Sequence, residues 1–246
     1  MSESVLAGIH AVKSALQKKP ERIRRLLMST DRKDKRMDEI RQLARASQIG
    51  IEDTDSRQLD QLTDGVRHQG VVLMLEEVTT QTEDDLYDLL DNLSQPAFLL
   101  VLDGVTDPHN LGACLRSADA AGVDAVIVPK DNSCGLTPVV RKVASGAAEA
   151  VPLIPVTNLA RTLDDLKERG IWLTGTSDQS EQNIFEIDLT GSIAIILGAE
   201  GKGMRRLTTE RCDHLAVIPM AGTVESLNVS VATGICLFEA VRQRVA

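Results

Sequence analysis

Three polar, glycine-rich segments of this sequence carry residue types suited to binding or catalysis. They are Asp103–Gly112, Leu197–Met204 and Ile218–Ser230, which we name the first, second and third loops. Each follows a short apolar run and leads into a helical pattern. A purely structural connection needs only a few turn-forming residues, so segments this rich in amides, carboxylates and glycines favour a chemical role.

The first loop contains Asn110, and Arg116 follows it between one and two helical turns later. The side chain of Asn110 is suited either to cap the following helix or to contact a substrate. The guanidinium of Arg116 is suited either to grip a phosphate or to pair with a surface carboxylate. Both alternatives stay open at each position.

In the second loop, three glycines between Gly198 and Gly203 allow the backbone to approach a ligand or to adopt positive φ. Their spacing differs from the fingerprints of nicotinamide-binding and P-loop proteins, which disfavours a dehydrogenase. Glu200 lies among them as either a helix-start acid or a ligand of a polar substrate group. In the third loop, Ser226 is a candidate N-cap of the last helix.

Apolar runs alternate with helical patterns from residue 97 onward, which is typical of parallel strands covered on both faces. The predicted strands are Phe98–Leu102, Ala125–Val128, Leu153–Val156, Ile171–Thr174, Ile193–Leu197 and Leu215–Ile218. The predicted helices are Leu111–Ala121, Val139–Ala148, Leu159–Arg169, Met204–Cys212 and Leu227–Arg244. Ligands of such α/β sheets bind beyond the carboxyl ends of the strands, so we expect the three loops to converge there.

We predict a separate N-terminal domain over residues 1–75, an acidic linker over 76–95 and the sheet domain over 96–246. The predicted N-terminal elements are helices at His10–Leu16 and Asp34–Ser47 and strands at Ile23–Met28 and Val71–Leu75. The linker holds seven acidic and no basic residues, and its leucines predict a connecting helix.

The net charge of −9 weighs against a polyanionic partner, but the charge is unevenly distributed. Residues 1–75 hold 14 basic and 11 acidic side chains, and seven basic ones lie between Arg22 and Arg36. This run predicts either a phosphate-binding surface or a solvated helical face. Because the chain has no apolar run of membrane length and no CxxC spacing, we expect a cytoplasmic protein with neither a membrane span nor a metal site.

Three short phrases connect the loops to a known family. DPHNLG at 107–112, GAEG at 198–201 and SLNVS at 226–230 resemble the signature motifs of the SpoU/TrmH family of RNA ribose 2′-O-methyltransferases, within the SPOUT superfamily. This resemblance spans residues 97–246. Two further phrases, GIHAV at 8–12 and HQG at 68–70, look like the substrate-binding domain of members that act on large-subunit ribosomal RNA.

The resemblance implies an α/β fold whose parallel sheet ends in a deep trefoil knot, an exception to the rule that chains are unknotted. It also implies an N-terminal domain similar to ribosomal protein L30e, and a homodimer with the active site at or near its interface. The implied reaction is methylation of a guanosine ribose 2′-hydroxyl in 23S ribosomal RNA, free or in an assembling large subunit. The implied methyl donor is S-adenosylmethionine.

The same resemblance assigns the site residues in two groups. The catalytic and substrate-positioning set is Asn110, Arg116, Glu200, Ser226 and Asn228. The residues that line the S-adenosylmethionine pocket, largely through backbone groups, are Gly198, Ile218, Met220 and Leu227. Because a guanidinium is a poor proton acceptor, we expect Arg116 to bind the target phosphate and to stabilise negative charge.

Two other functions are compatible with much of this pattern. A transfer-RNA ribose 2′-O-methyltransferase shares the three loops, and a non-catalytic RNA-binding or ribosome-assembly protein would keep the fold. The N-terminal domain favours ribosomal RNA, and the intact polar loop residues argue against a non-catalytic protein. With five aromatic residues in the chain, we expect hydrogen bonds and arginine planes to recognise the RNA.

Overall fold

The computed structural model describes residues 3–18, 20–32, 34–63, 65–76 and 81–245. Its first elements are β1 (Glu3–Ala7), α1 (Ile9–Lys18), a 3₁₀ turn (Pro20–Arg22), β2 (Ile23–Ser29), α2 (Lys35–Ala46), β3 (Ile51–Thr54), α3 (Ser56–Leu62) and β4 (Val71–Glu76). They are followed by α4 (Glu83–Asp91), β5 (Phe98–Asp103), α5 (Pro108–Ala121), β6 (Ala125–Pro129), α6 (Pro138–Ala144), α7 (Ala147–Ala150), β7 (Leu153–Val156) and α8 (Leu159–Glu168). The last are β8 (Trp172–Thr176), a 3₁₀ turn (Ile184–Glu186), β9 (Ile193–Gly198), α9 (Arg206–Thr209), β10 (His214–Ala216) and α10 (Val229–Arg244).

Residues 1–79 and 136–150 form one compact unit. Its sheet has the order β1-β4-β2-β3, in which β4 is antiparallel to β1 and β2, and β3 is parallel to β2. Side chains of β4 alternate between the two faces, as a strand requires. Leu73 packs on one face with residues of α1 and α2, and Val72 packs on the other with Leu59 of α3.

The single helix predicted at Val139–Ala148 is wrong, because the chain forms α6 and α7 there. Residues 136–150 cluster with the first unit. The helix breaks at Ser145 and Gly146, which have φ values of 53° and 98°. A Cβ on Gly146 would come within 2.8 Å of the Ser14 Cβ, so glycine permits a close approach there. The buried carboxylate of Glu149 pairs with Arg22 at 3.1 Å, which adds a second tie to the N-terminal residues.

Residues 80–135 and 151–246 form the second compact unit. Its six strands are all parallel and lie in the order β10-β8-β9-β5-β6-β7, so the predicted α/β fold with a parallel sheet is confirmed. All six side chains of β5 are buried, as expected for a strand covered on both faces. The predicted connecting helix is present as α4, and α5 and α10 pack together beside the sheet. Within the described part of the chain, the helices lack the combined length and apolar character that spanning a bilayer would require.

Candidate active site

The site lies at the carboxyl ends of the neighbouring strands β5 and β9. These strands pair in parallel over six residues, and the register places Asp103 beside Gly198. The first and second loops therefore leave the sheet side by side. The third loop leaves β10 at the edge of the sheet and returns to α10, which packs against α5 and β9.

The side chain of Asn228 joins all three loops. Its Nδ2 donates a hydrogen bond to Asn110 Oδ1 at 2.9 Å and another to Glu200 Oε1 at 2.6 Å. Its Oδ1 accepts from the backbone N–H and the hydroxyl of Ser230, at 2.9 and 2.6 Å. The predicted convergence of the three loops is thus confirmed. We name Asn110, Glu200 and Asn228 the loop cluster.

Two of the capping alternatives are wrong. The N-cap of α5 is Asp107, whose side chain accepts from the His109 N–H, so Asn110 lies inside the helix, where its side chain is free to reach Asn228. The N-cap of α10 is Asn228 and Ser226 lies two residues before it. Both Ser226 and Asn228 are favoured cap types, and Asn228 also has partners on the two other loops.

The buried carboxylate of Asp103 anchors the end of the second loop. It accepts hydrogen bonds from the backbone N–H of Arg205 at 2.8 Å and from its Nε at 2.6 Å. The Asp103 side chain is fully buried, whereas that of Arg205 is 52% exposed. We had not singled out Arg205 from the sequence, although an acidic residue at the end of an apolar strand signals that a partner is required.

The second loop is a tight turn whose ends touch. The backbones of Ala199 and Gly203 exchange two hydrogen bonds, at 3.1 and 2.9 Å. A Cβ on Gly198 would overlap the backbone of Gly203 and Met204, so only glycine fits there. Gly201 and Gly203 have φ values of 72° and 65°, so the predicted positive φ is confirmed at both residues.

The other assigned residues lie around this cluster without bonding to it. Arg116 is exposed on α5 and makes no hydrogen bond or ion pair with any described residue. Ser226 is exposed in the third loop, Met220 is 37% exposed, and Ile218 and Leu227 are half-buried.

A buried thiol lies one helical turn beyond Asn110. The Cys114 Sγ is 3.4 Å from the hydroxyl of Thr233 on α10. Burial raises the pKa of this thiol to about 11, and the nearby Glu200 carboxylate adds to the increase. Cys114 is therefore protonated near neutral pH and acts as a packing residue rather than as a nucleophile.

Three arginines of the basic run in the first unit are paired with carboxylates. Arg22 pairs with Glu149, Arg25 forms two bonds with Glu52 at 2.9 and 2.6 Å, and Arg32 pairs with Asp34 at 2.7 Å. The Arg32 guanidinium lowers the pKa of Asp34, and the Arg25 guanidinium lowers the pKa of Glu52. The continuous basic surface allowed by the sequence is thus interrupted at these three arginines.

Comparisons with known proteins agree with the family resemblance of the three loops. Residues 97–238 match the SpoU rRNA Methylase family, and residues 5–81 match the domain family described as RNA 2′-O ribose methyltransferase substrate binding. A relative from Pseudomonas putida named 23S rRNA (guanosine-2′-O-)-methyltransferase RlmB is 56% identical, over 96% of this chain and 95% of its own. The relative of that name from Escherichia coli K12 is 54% identical, over 99% of this chain and all of its own.

Solved structures extend the likeness to the fold. The SpoU methyltransferase AviRb from Streptomyces viridochromogenes, in complex with the cofactor AdoMet, matches with a TM-score of 0.79 and 25% identity, over 99% of this chain and 91% of its own. The TrmH/SpoU tRNA modifying enzyme of A. aeolicus matches with a TM-score of 0.56 and 32% identity, over 66% of this chain and 82% of its own. The sequence resemblance is confirmed at the level of the family.

Proposed function

The chain belongs to the SpoU rRNA Methylase family, and on that premise we propose that it methylates a guanosine ribose 2′-hydroxyl in 23S ribosomal RNA with S-adenosylmethionine. The rRNA-methylating relatives cover nearly the whole chain at 54 to 56% identity. The observation that carries the proposal is the amide of Asn228, which holds Asn110 and Glu200 together across three loops.

The surroundings of the loop cluster fit S-adenosylmethionine. Ile218, Met220 and Leu227 offer partly exposed apolar side chains, and a Cβ on Gly201 would meet nothing within 4 Å. Apolar side chains beside accessible backbone suit a ligand with a purine ring and polar ends. We assign Gly198, Ile218, Met220 and Leu227 to this pocket. When bound, S-adenosylmethionine supplies a methyl group on a positively charged sulfur, which is already a strong electrophile.

With such a donor, the protein contributes chiefly by positioning the ribose hydroxyl. We propose that the guanidinium of Arg116, which pairs with no described residue, holds the target phosphate. We propose that Asn110, Ser226 and Asn228 orient the nucleotide. The hydroxyl must lose its proton as the new bond forms. Among the assigned side chains, the carboxylate of Glu200 is the group suited to accept it, because amides and guanidinium groups are poor bases.

We propose that the remaining features follow the family. The return of the third loop from β10 at the sheet edge to α10 beside α5 and β9 supports a trefoil knot. Val231 and Phe238 lie seven residues apart on α10 and are 50% and 48% exposed, which supports a homodimer formed through this helix. We propose an L30e-like RNA-binding domain at residues 1–75, a linker at 76–95 and a knotted methyltransferase domain at 96–246.

The assigned substrate also suggests where and on what the protein acts. Ribosomal RNA is made and assembled in the cytoplasm of bacteria, so we propose that compartment, with free 23S RNA or an assembling large subunit as the partner. A tRNA substrate is less well supported, because the tRNA modifying enzyme of A. aeolicus matches only 66% of this chain. The intact loop cluster argues against a non-catalytic assembly protein.

The test is to map ribose methylation in ribosomal and transfer RNA from cells with and without the protein. We expect one guanosine mark in 23S RNA to disappear and to return with the wild-type protein but not with Asn110→Ala. A lost mark in transfer RNA would contradict the ribosomal assignment. Normal methylation everywhere, together with a defect in subunit assembly, would favour the non-catalytic alternative.

A second experiment examines Arg116 through the pH profile of single-turnover methylation. We expect Arg116→Lys to lower the rate about tenfold or more, because lysine lacks the planar fork that binds phosphate in two places. The pH dependence should keep its shape, since Arg116 is not the base. Full activity in this variant would remove the need for the guanidinium.

A further inference from the structure

The first compact unit contains a cleft that the proposed chemistry does not use. Its volume is about 450 Å³, and it is lined by the end of β2, the first turn of α2, part of α3 and residues 65–70. We name it the α2–α3 cleft. All of its lining lies within the residues that match the RNA 2′-O ribose methyltransferase substrate-binding family.

One wall of the cleft is held in place by specific bonds. Arg32 Nη1 donates to the carbonyl of Gln69 at 2.7 Å, and Gln69 Oε1 accepts from the backbone N–H of Ile9 at 3.1 Å. Gln69 and Gly70 have φ values of 56° and 85°. A non-glycine residue with positive φ is strained, so these bonds are needed to keep the turn in shape.

His68 forms two further hydrogen bonds in the cleft, one of them with the carboxylate of Asp60. The backbone N–H of Gly70 donates to His68 Nδ1 at 3.0 Å, so that nitrogen carries no hydrogen. The hydrogen is therefore on Nε2, which lies 3.1 Å from an oxygen of Asp60 and donates to it. One oxygen of the Asp60 carboxylate is therefore already bonded.

Two cations of the cleft have no partner among the residues that the structure describes. Arg36 and Arg67 are both exposed, and neither forms a hydrogen bond or ion pair through its guanidinium with any described residue. Arg41, which like Arg36 is on α2 but lies outside the cleft, pairs with Asp53 at 3.4 Å. Of the three arginines in the described lining, Arg32 is already paired with Asp34. Arg36 and Arg67 are therefore the cations of the cleft that remain available to a ligand.

We propose that the α2–α3 cleft binds the sugar–phosphate backbone of an unpaired RNA segment, with Arg36 and Arg67 each contacting one phosphate. The proposal rests on the RNA substrate of the proposed function and adds the surface that captures it. A concave site of this size admits a splayed nucleotide, whereas an RNA duplex presents a broad convex surface. Guanidinium groups both pair with phosphate and stack on bases, and the cleft contains no Phe, Tyr or Trp among its described residues.

The experiment measures the binding of the full-length protein to a labelled single-stranded fragment of 23S RNA at several salt concentrations. The variants are Arg36→Ala and Arg67→Ala. Arg41→Ala is the control, because it removes the same charge from the helix that carries Arg36, at a position outside the cleft. We expect each cleft variant to weaken binding about fivefold to tenfold. We also expect the slope of log affinity against log salt to fall by about 0.7 per lost phosphate contact. The control should change affinity less than about twofold.

The methylation assay then separates this proposal from the proposed function. We expect both cleft variants to raise KM for RNA while kcat stays near the wild-type value, since neither arginine lies in the loop cluster. Wild-type protein that methylates no ribosomal RNA would refute the proposed function. Active wild type with cleft variants that match Arg41→Ala in affinity, salt slope and KM would overturn the cleft alone. Equal displacement of the labelled RNA by polyglutamate would assign the cleft to acidic polypeptides instead.

Discussion

The loop cluster and the α2–α3 cleft treat their polar groups in opposite ways. In the loop cluster, both the NH₂ group and the oxygen of the Asn228 amide are hydrogen-bonded to other protein groups. In the cleft, no described residue pairs with Arg36 or Arg67. Groups that must hold a reacting atom benefit from being fixed in advance, whereas groups that capture a charged polymer benefit from being free. The two regions should therefore respond differently to the same kind of substitution.

The largest effect should come from Asn228→Asp. This change replaces the NH₂ donor by an oxygen, so acceptors on Asn110, Glu200 and residue 228 would face one another without a hydrogen. Aspartate is as good an N-cap as asparagine, so the start of α10 should be retained. We expect single-turnover methylation to fall about 100-fold or more, comparable to the loss of one preorganised donor.

Ser230→Ala provides the matched control for that variant. It removes the hydroxyl that donates to Asn228 Oδ1 but keeps the backbone N–H that does the same. We expect a decrease of less than about tenfold, because one of the two bonds persists. If the Asn228→Asp protein were as active as the Ser230→Ala protein, the loop cluster would not be the preorganised site that the comparison assumes.

A smaller effect, on stability, should follow Arg205→Ala. The variant leaves the buried carboxylate of Asp103 with the backbone N–H of residue 205 but without the guanidinium. Breaking a fully buried pair costs about 3 to 5 kcal/mol, and we expect about 2 kcal/mol here because Arg205 is half exposed. Urea denaturation measures the difference. Arg206→Ala breaks an exposed pair with Glu210 and should cost less than about 0.5 kcal/mol, so equal losses would contradict the anchoring role.

The smallest effect is a spectroscopic one and concerns a fixed polar group outside both regions, the hydroxyl of Tyr87 on α4. Tyr87 is the single tyrosine of the chain, and its hydroxyl donates to Asp165 at 2.6 Å. Burial, and then this hydrogen bond, raise the pKa of Tyr87 to about 12. Phenolate absorbance should therefore appear near pH 12 in the folded protein and near pH 10 after denaturation.

The sign of the linkage follows from that increase. Because the folded pKa of Tyr87 exceeds the unfolded value, its contribution to stability is complete below about pH 10 and is lost as the pH rises through about 12. Tyr87→Phe should remove this part of the alkaline destabilisation. A native titration midpoint near pH 10 would mean that Tyr87 of α4 is not buried against Asp165 as the structure shows.

The sequence predicted those elements whose burial leaves a strong pattern. The strands of the parallel sheet were found because strands covered on both faces appear as continuous apolar runs. The edge strands β1 and β3 and the short helix α3 were missed. In β3, the middle residues Glu52 and Asp53 are exposed, so the strand lacks the apolar run that betrays a buried one. The helix predicted from Met204 to Cys212 shrinks to α9, because Met204 belongs to the second loop, Arg205 is the N-cap and the helix already ends at Thr209.

The candidate site was predictable as three loops but not as a set of bonds. Asn228 is separated in sequence from Asn110 by 118 residues and from Glu200 by 28, and no local pattern links such distances. Ser226 and Asn228 are both suitable N-caps of α10 and lie two residues apart. The residue that caps the helix is Asn228, which also bonds to the other two loops. Tertiary contacts decided both outcomes.

The closed turn around Gly198 restricts which residues can evolve at that position. Since a single methyl group there would collide with the backbone of Gly203 and Met204, no rotamer or nearby side-chain adjustment offers relief. A library that randomises this codon and selects for function should return glycine alone. Gly50, which lies between α2 and β3 and where an added methyl would find open space, should accept many residues in the same library.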